Sequence, residues 1–96
     1  MNKLFKSPRF PSGQIVATPG VLEALANAGQ TPLEFLCRHL LGDWGEVCAE
    51  DAAENELALR EGFRLLSAYR TSQGVKLWII TEADRSVTTL LLPSEY

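Results

Sequence analysis

Val75-Lys76-Leu77-Trp78-Ile79-Ile80-Thr81 is the stretch whose reading decides the fold. It is rich in β-branched and aromatic side chains, which suit a pleated, half-buried surface, and it is of strand length. Immediately before it, Thr71-Ser72-Gln73-Gly74 reads as a hairpin connection with glycine where a positive φ is needed. Phe63-Arg64-Leu65-Leu66-Ser67-Ala68-Tyr69-Arg70 is the strand that enters that hairpin. On the other side, Glu82-Ala83-Asp84-Arg85 is a second turn, and Val87-Thr88-Thr89-Leu90-Leu91-Leu92 is a third strand stopped by Pro93. The C-terminal third of the chain is therefore expected to be a three-stranded antiparallel meander.

Further upstream the period changes to that of helices. Thr18 suits an N-cap and Pro19 the first helical position, where a missing N–H costs nothing. This helix runs to about Ala28 with Leu22, Leu25 and Ala26 at helical spacing, and Gly29 terminates it. Thr31 and Glu34 repeat the pattern as a capping box around Pro32. Leu33, Leu36, Cys37, Leu40 and Leu41 then make an apolar stripe. Arg38 and His39 fall in the last turn, where the helix dipole favours positive charge, and Gly42 closes the helix before an Asp43-Trp44-Gly45 turn. A third helix is expected over Ala49 to Glu61, with Glu50, Asp51 and Glu54 in its early turns and a narrow apolar face of Ala53, Leu57 and Ala58. Gln14-Ile15-Val16-Ala17 is a short apolar run that reads as an extra N-terminal edge strand.

Helices grouped ahead of sequential hairpins imply an α+β domain, with three helices packed on one face of a small antiparallel sheet. The other sheet face is expected to be partly wet and lined by Arg64, Lys76, Ser86 and Thr88. Residues 1–12 carry Lys3, Lys6, Arg9, Pro8 and Pro11 and read as a flexible basic arm, leaving 13–96 as a single domain.

Composition narrows the function classes. With 96 residues, one core is supported and a deep cavity is not; apolar residues at 46% and charged residues at 22% are ordinary globular usage. Nine Lys and Arg against twelve Asp and Glu give a net charge of −3, which disfavours direct nucleic-acid binding. No apolar run reaches the roughly 18 residues that span a bilayer, and no h-region follows Lys3 and Lys6, so a cytoplasmic location is expected. Cys37 and Cys48 read as reduced, partly buried thiols; with one histidine and no CxxC, neither structural zinc nor another cofactor is expected.

The candidate sites follow from charge. Between Asp43 and Glu61 stand Asp43, Glu46, Glu50, Asp51, Glu54, Glu56 and Glu61 against Arg60 alone. Such a stretch is either a solvated helix face or an acidic surface that docks a basic partner, where charge sets encounter and specificity. Trp44, in its turn, is either a staple to the core or an aromatic anchor for a partner. Asp84 and Arg85 in the second turn join the candidate partner-binding set of Asp43, Trp44, Glu46, Glu50, Asp51 and Glu54. A divalent ion held by Asp43, Asp51, Glu82 and Asp84 would instead make a small hydrolase or nuclease. His39 is the only histidine, and a pairing with Cys48 is the one nucleophile arrangement the spacing leaves open.

Gly13 through Gly20, Arg38-His39 through Gly42-Asp43-Trp44-Gly45, Leu77 through Arg85, and Thr88 through Pro93 together resemble a family of short bacterial proteins. Its members are often found on plasmids and other mobile elements, and some carry labels associating them with restriction–modification systems. The resemblance covers Gly13 to Tyr96, excludes the arm, and carries no catalytic residue over to this chain. It implies a non-enzymatic accessory factor that binds a protein, such as an inhibitor of a host restriction or CRISPR system working through an acidic surface on a basic nucleic-acid-binding protein. The rival expectations are the metal-dependent hydrolase and a structural or subunit protein that forms a homodimer through an exposed strand edge.

Overall fold

In the computed structural model, which describes residues 7–96, the elements run β1 (Gln14–Ala17), α1 (Pro19–Asn27), α2 (Pro32–Leu40), α3 (Ala49–Glu61), β2 (Leu65–Arg70), β3 (Lys76–Thr81), β4 (Val87–Leu91) and a closing 3-10 turn (Pro93–Glu95). Residues 1–6 of the expected arm lie outside the described residues. The fold is α+β, and β2, β3 and β4 form the antiparallel meander. The sheet order is β1-β4-β3-β2, and β1 pairs with β4 in parallel, so the sheet is mixed rather than wholly antiparallel. Nothing in the local sequence of β1 encodes its partner; the chain returns to it only after three helices.

Local chemistry sets the helix starts. The Thr18 hydroxyl accepts from the Val21 N–H at 3.4 Å, as an N-cap should. At α2 the expected capping box does not form: Thr31 makes no side-chain cap bond, and Glu34 accepts from the Gln30 amide at 2.8 Å instead. Cys48 supplies the third cap, its Sγ accepting from the Asp51 N–H.

One sheet face carries Leu65, Ser67 and Tyr69 of β2, Leu77, Ile79 and Thr81 of β3, and Thr88 and Leu90 of β4, all buried. Val21 and Leu25 of α1 and Phe35 of α2 close over Tyr69, Leu77, Ile79 and Leu90. Ala58 of α3 packs with Leu65, Trp44 and Phe10 in a second cluster. Burying a side chain such as Leu25 or Phe35 contributes about 1.5–3 kcal/mol each, so these contacts fix which face of each helix points inward.

That inward face differs from the expected stripes. On α2 the buried residues are Phe35, Leu36 and His39, while Leu33 is exposed. On α3 they are Asn55 and Ala58, with Ala53 and Leu57 outside. Thr88, expected on the wet face, is fully buried on the helix-covered face, bonded to Thr81 and the Ser12 carbonyl. Both cysteines are exposed and free rather than partly buried. The arm is anchored at its described end. Phe10 is 6% exposed and lies 6.3 Å from the Trp44 ring. The Arg9 guanidinium grips Glu56 through two bonds of 2.9 and 2.8 Å.

The two sheet edges are treated differently. On β2, the Asn55 side chain donates to the Leu66 carbonyl at 2.8 Å and accepts from the Leu66 N–H at 3.2 Å. Farther along the same strand, the Ala68 N–H donates to the Trp44 carbonyl and the Ala68 carbonyl accepts from the Glu46 N–H. Gly45, at φ +74, is required here, because a Cβ would come within 2.0 Å of the Ala68 carbonyl oxygen. These contacts occupy the outer hydrogen-bonding groups of Leu66 and Ala68 on β2, the protection that edge strands need.

Candidate functional site

Two polar constellations stand out, one inside the core and one on the second sheet face. The inner one is built on His39, which has no exposure at all. Its Nδ1 lies 2.5 Å from Ser67 Oγ and its Nε2 2.9 Å from Thr81 Oγ1; Thr81 Oγ1 is 2.7 Å from Thr88 Oγ1, which donates to the Ser12 carbonyl at 2.7 Å. A carbonyl can only accept, so the direction of the whole chain follows. Thr88 gives its proton to Ser12, Thr81 to Thr88, His39 Nε2–H to Thr81, and Ser67 to Nδ1. His39 is thereby held as the neutral Nε2–H tautomer. Burial, with Arg85 nearby, pushes its pKa down to about 4. It is therefore not the charged helix-end residue expected from its position. With both ring nitrogens engaged and Cys48 used as a helix cap, the Cys48–His39 pairing does not form.

The acidic residues sort into two groups. Asp43 pairs with Arg38 at 2.7 Å, Glu46 with Arg70 at 2.8 Å, and Glu56 with Arg9 at 2.8 Å. The Arg9 bonds, together with the Trp44 indole N–H, pull the Glu56 carboxyl down to about 2, and Arg38 holds Asp43 below the usual carboxylate range. Glu50, Asp51 and Glu54, by contrast, are exposed and form no ion pair among the described residues.

Three further expected site residues have structural roles. Trp44 is 6% exposed and packs its ring in the core, so it is the staple of its turn and not a surface anchor. Arg85 has a positive φ of 61, uncommon without glycine, and its guanidinium donates to the carbonyls of Phe63 at 2.6 Å, Ala58 at 3.1 Å and Glu82 at 3.1 Å. It brackets the end of α3 to the β3–β4 turn. Asp84 accepts from the Ser86 N–H inside that same turn. Asp43, Asp51, Glu82 and Asp84 do not converge: no group of three His, Cys, Asp or Glu suited to a metal occurs among the described residues.

The outer constellation is a groove across the sheet face opposite α1 and α2. An open recess of about 380 Å³ lies between Asp51, Glu54 and Asn55 of α3 on one side and Arg64, Leu66 and Tyr96 on the other. A second recess of about 200 Å³ shares Arg64 and Tyr96 and continues over Ile80, Thr89 and Leu91 to Glu82 and Glu95. Leu66, Ile80 and Leu91 give it an apolar floor. Ile80 and Leu91 are themselves nearly inaccessible, while Tyr96 stands proud with its ring 5.8 Å from Trp78. Four carboxylates line the groove, those of Asp51, Glu54, Glu82 and Glu95. Glu95 is held ionised by the Thr18 hydroxyl and the Leu92 and Gly20 N–H groups.

Among the described residues, the only cation lining the groove is Arg64. It is occupied by the Tyr96 hydroxyl at 2.6 Å, by the Tyr96 ring at 5.3 Å and, more distantly, by Glu82 at 4.0 Å. The groove thus unites two of the expected acids, Asp51 and Glu54, with residues that the sequence did not single out. Glu50 sits on the same helix but does not line it.

Compared with known proteins, the chain matches no family model, no curated protein and no solved structure. Among the described residues, no helix is long and apolar enough to cross a membrane.

Proposed function

We propose that this protein is a binding factor that seats a basic, partly apolar segment of another protein in the groove between α3 and Tyr96. The observation that carries this reading is the pairing of an apolar floor, Leu66, Ile80 and Leu91, with four lining carboxylates and one arginine already engaged within the chain. A lysine- or arginine-bearing segment with alternating apolar side chains matches both features. Ile80 and Leu91 back the floor from beneath, the half-buried Leu66 and the exposed Tyr96 ring meet the apolar side chains of the segment, and the carboxylates set encounter rate and register. The acidic docking surface expected from the sequence is narrowed to Asp51 and Glu54: it loses Trp44, Arg85, the ion-paired Asp43 and Glu46, Asp84, which is used inside its own turn, and Glu50, which does not line the groove, while Glu82 and Glu95 line it but are already engaged by Arg64 and by the Thr18, Gly20 and Leu92 donors.

In this proposal, which follows the expected resemblance to mobile-element proteins, such a partner is a basic nucleic-acid-binding enzyme of host defence, restriction or CRISPR machinery, and the protein acts on it without catalysis. Calorimetry with a short peptide alternating lysine and leucine tests the binding surface. The expected result is saturable binding that weakens about tenfold in an Asp51→Asn, Glu54→Gln double variant and weakens further with salt. Equal binding by the wild type and the double variant would refute the assignment.

A further inference from the structure

β1 is the one strand edge that the described residues leave uncovered. The N–H groups of Gln14 and Thr18 bond to the carbonyls of Ser86, just before β4, and of Leu90 in β4, so in a parallel ladder the backbone groups of the intervening Ile15 and Ala17 point away from the sheet. Nothing among the described residues bonds to them. Ile15 is 48% and Val16 38% exposed, although both are large and apolar. The segment Gln14-Ile15-Val16-Ala17 carries no charge, no proline and no glycine, and so lacks the usual devices that blunt an edge, apart from its shortness.

We propose that this edge pairs with the same edge of a second copy of the chain. Two β1 strands related by a two-fold axis at Val16 run antiparallel, and Ile15 of one copy exchanges a pair of N–H···O bonds with Ala17 of the other. Ile15 then meets a small residue across the strands, Val16 meets itself, and no like charges face each other. The opposite edge decides the form of the assembly. Because Asn55 and residues 44–46 already occupy the outer groups of Leu66 and Ala68 on β2, a β1 strand has no run of free β2 groups to add to. Only the isologous β1–β1 contact remains, and it closes as a dimer with one continuous sheet rather than growing into a fibre. A pair of four-residue strands falls well short of the roughly 1,200–2,000 Å² buried in stable interfaces, so association is weak and shows itself at high protein concentration. The groove lies on a sheet face, not on this edge.

Sedimentation equilibrium over a concentration series, with amide hydrogen exchange at each concentration, tests the contact. The expected result is a monomer–dimer equilibrium in which exchange at the Ile15 and Ala17 amides slows as concentration rises. Ile15→Lys abolishes both effects, and so does Ile15→Pro, which removes the outward N–H without touching a bond to β4. Leu33→Lys, at an exposed apolar site on α2, leaves association unchanged. A strictly monomeric protein at millimolar concentration would overturn the proposal. So would a dimer that survives Ile15→Lys, or protection of Ile15 and Ala17 that appears only when an unrelated extended peptide is added.

Discussion

Lowering the pH from 7 to 4.5 should destabilise this protein through His39 before its carboxylates contribute. In the unfolded chain His39 takes up a proton near 6.5; in the folded chain burial holds it neutral down to about 4. Between those values the unfolded state binds more protons than the native state, so stability rises with pH across the window and is lost as pH falls. Each pKa unit of that gap is worth about 1.4 kcal/mol, and the full gap corresponds to about 3 kcal/mol. That is a large share of the 5–15 kcal/mol typical of a folded domain. The groups whose folded pKa is depressed, Glu56, Asp43, Asp84 and Glu95, act in the same direction but only below the unfolded carboxylate range near 4.5, so the interval above it isolates the histidine. Urea unfolding at half-unit pH steps measures the slope. His39→Gln keeps a donor and an acceptor but does not titrate, and the slope above pH 4.5 should vanish in that variant even if its absolute stability falls. A wild-type profile as flat as that of His39→Gln would refute the reasoning, as would an imidazole NMR titration centred near 6.5.

The other expectations are structural. Thr81→Val interrupts the buried relay and strands the His39 N–H without an acceptor, so urea denaturation should show a loss of about 1–3 kcal/mol. Asn55→Ala removes both side-chain bonds to Leu66 and bares part of the β2 edge; the expected outcome is about 2 kcal/mol of lost stability, with light scattering reporting association through an edge that is otherwise sealed. Phe10→Ala should cost about 3–5 kcal/mol in thermal or urea unfolding, because the ring is packed against Trp44 and His39 despite lying in a segment that reads as a tail.

Much of the fold could be read from short-range signals. Thr18-Pro19 announced α1, Gly29 followed its end with a φ of +67, and the hairpin at Thr71–Gly74 closed β2 onto β3 as the spacing implied. These are features in which a residue acts on its own neighbours. What could not be read depends on partners distant in sequence. His39 is buried because Ser67 of β2 and Thr81 of β3 offer it bonds, with Thr88 of β4 continuing the relay from Thr81, and a polar residue's burial is invisible until those strands are in register. Asn55 is the same case: on a helix whose apolar pattern is weak, it turns inward because the β2 edge needs a donor and an acceptor. Trp44 and Phe10 were ambiguous for want of the core they fill.

At the candidate site, Asp51 and Glu54 were visible as acids, but the groove was not. Its floor belongs to alternate positions of β2, β3 and β4, and its far wall is Tyr96, brought over the sheet by the 3-10 turn and held by Arg64. The acid count pointed at α3, the helix that lines one side of the groove. Only the pairing of Arg38, Arg70 and Arg9 with Asp43, Glu46 and Glu56 showed which acids remain available.

The central claim is that the groove, and not the charged surface at large, receives a basic partner. The most direct test is an NMR titration of the labelled protein with the lysine–leucine peptide, alongside a control peptide carrying glutamate in place of lysine. The account predicts shifts confined to the amides of Asp51, Glu54, Asn55, Leu66 and Tyr96 and their neighbours on β3 and β4, saturating with the first peptide and absent with the second. Shifts spread over Glu46, Asp43 and α1, or the same response to both peptides, would contradict it.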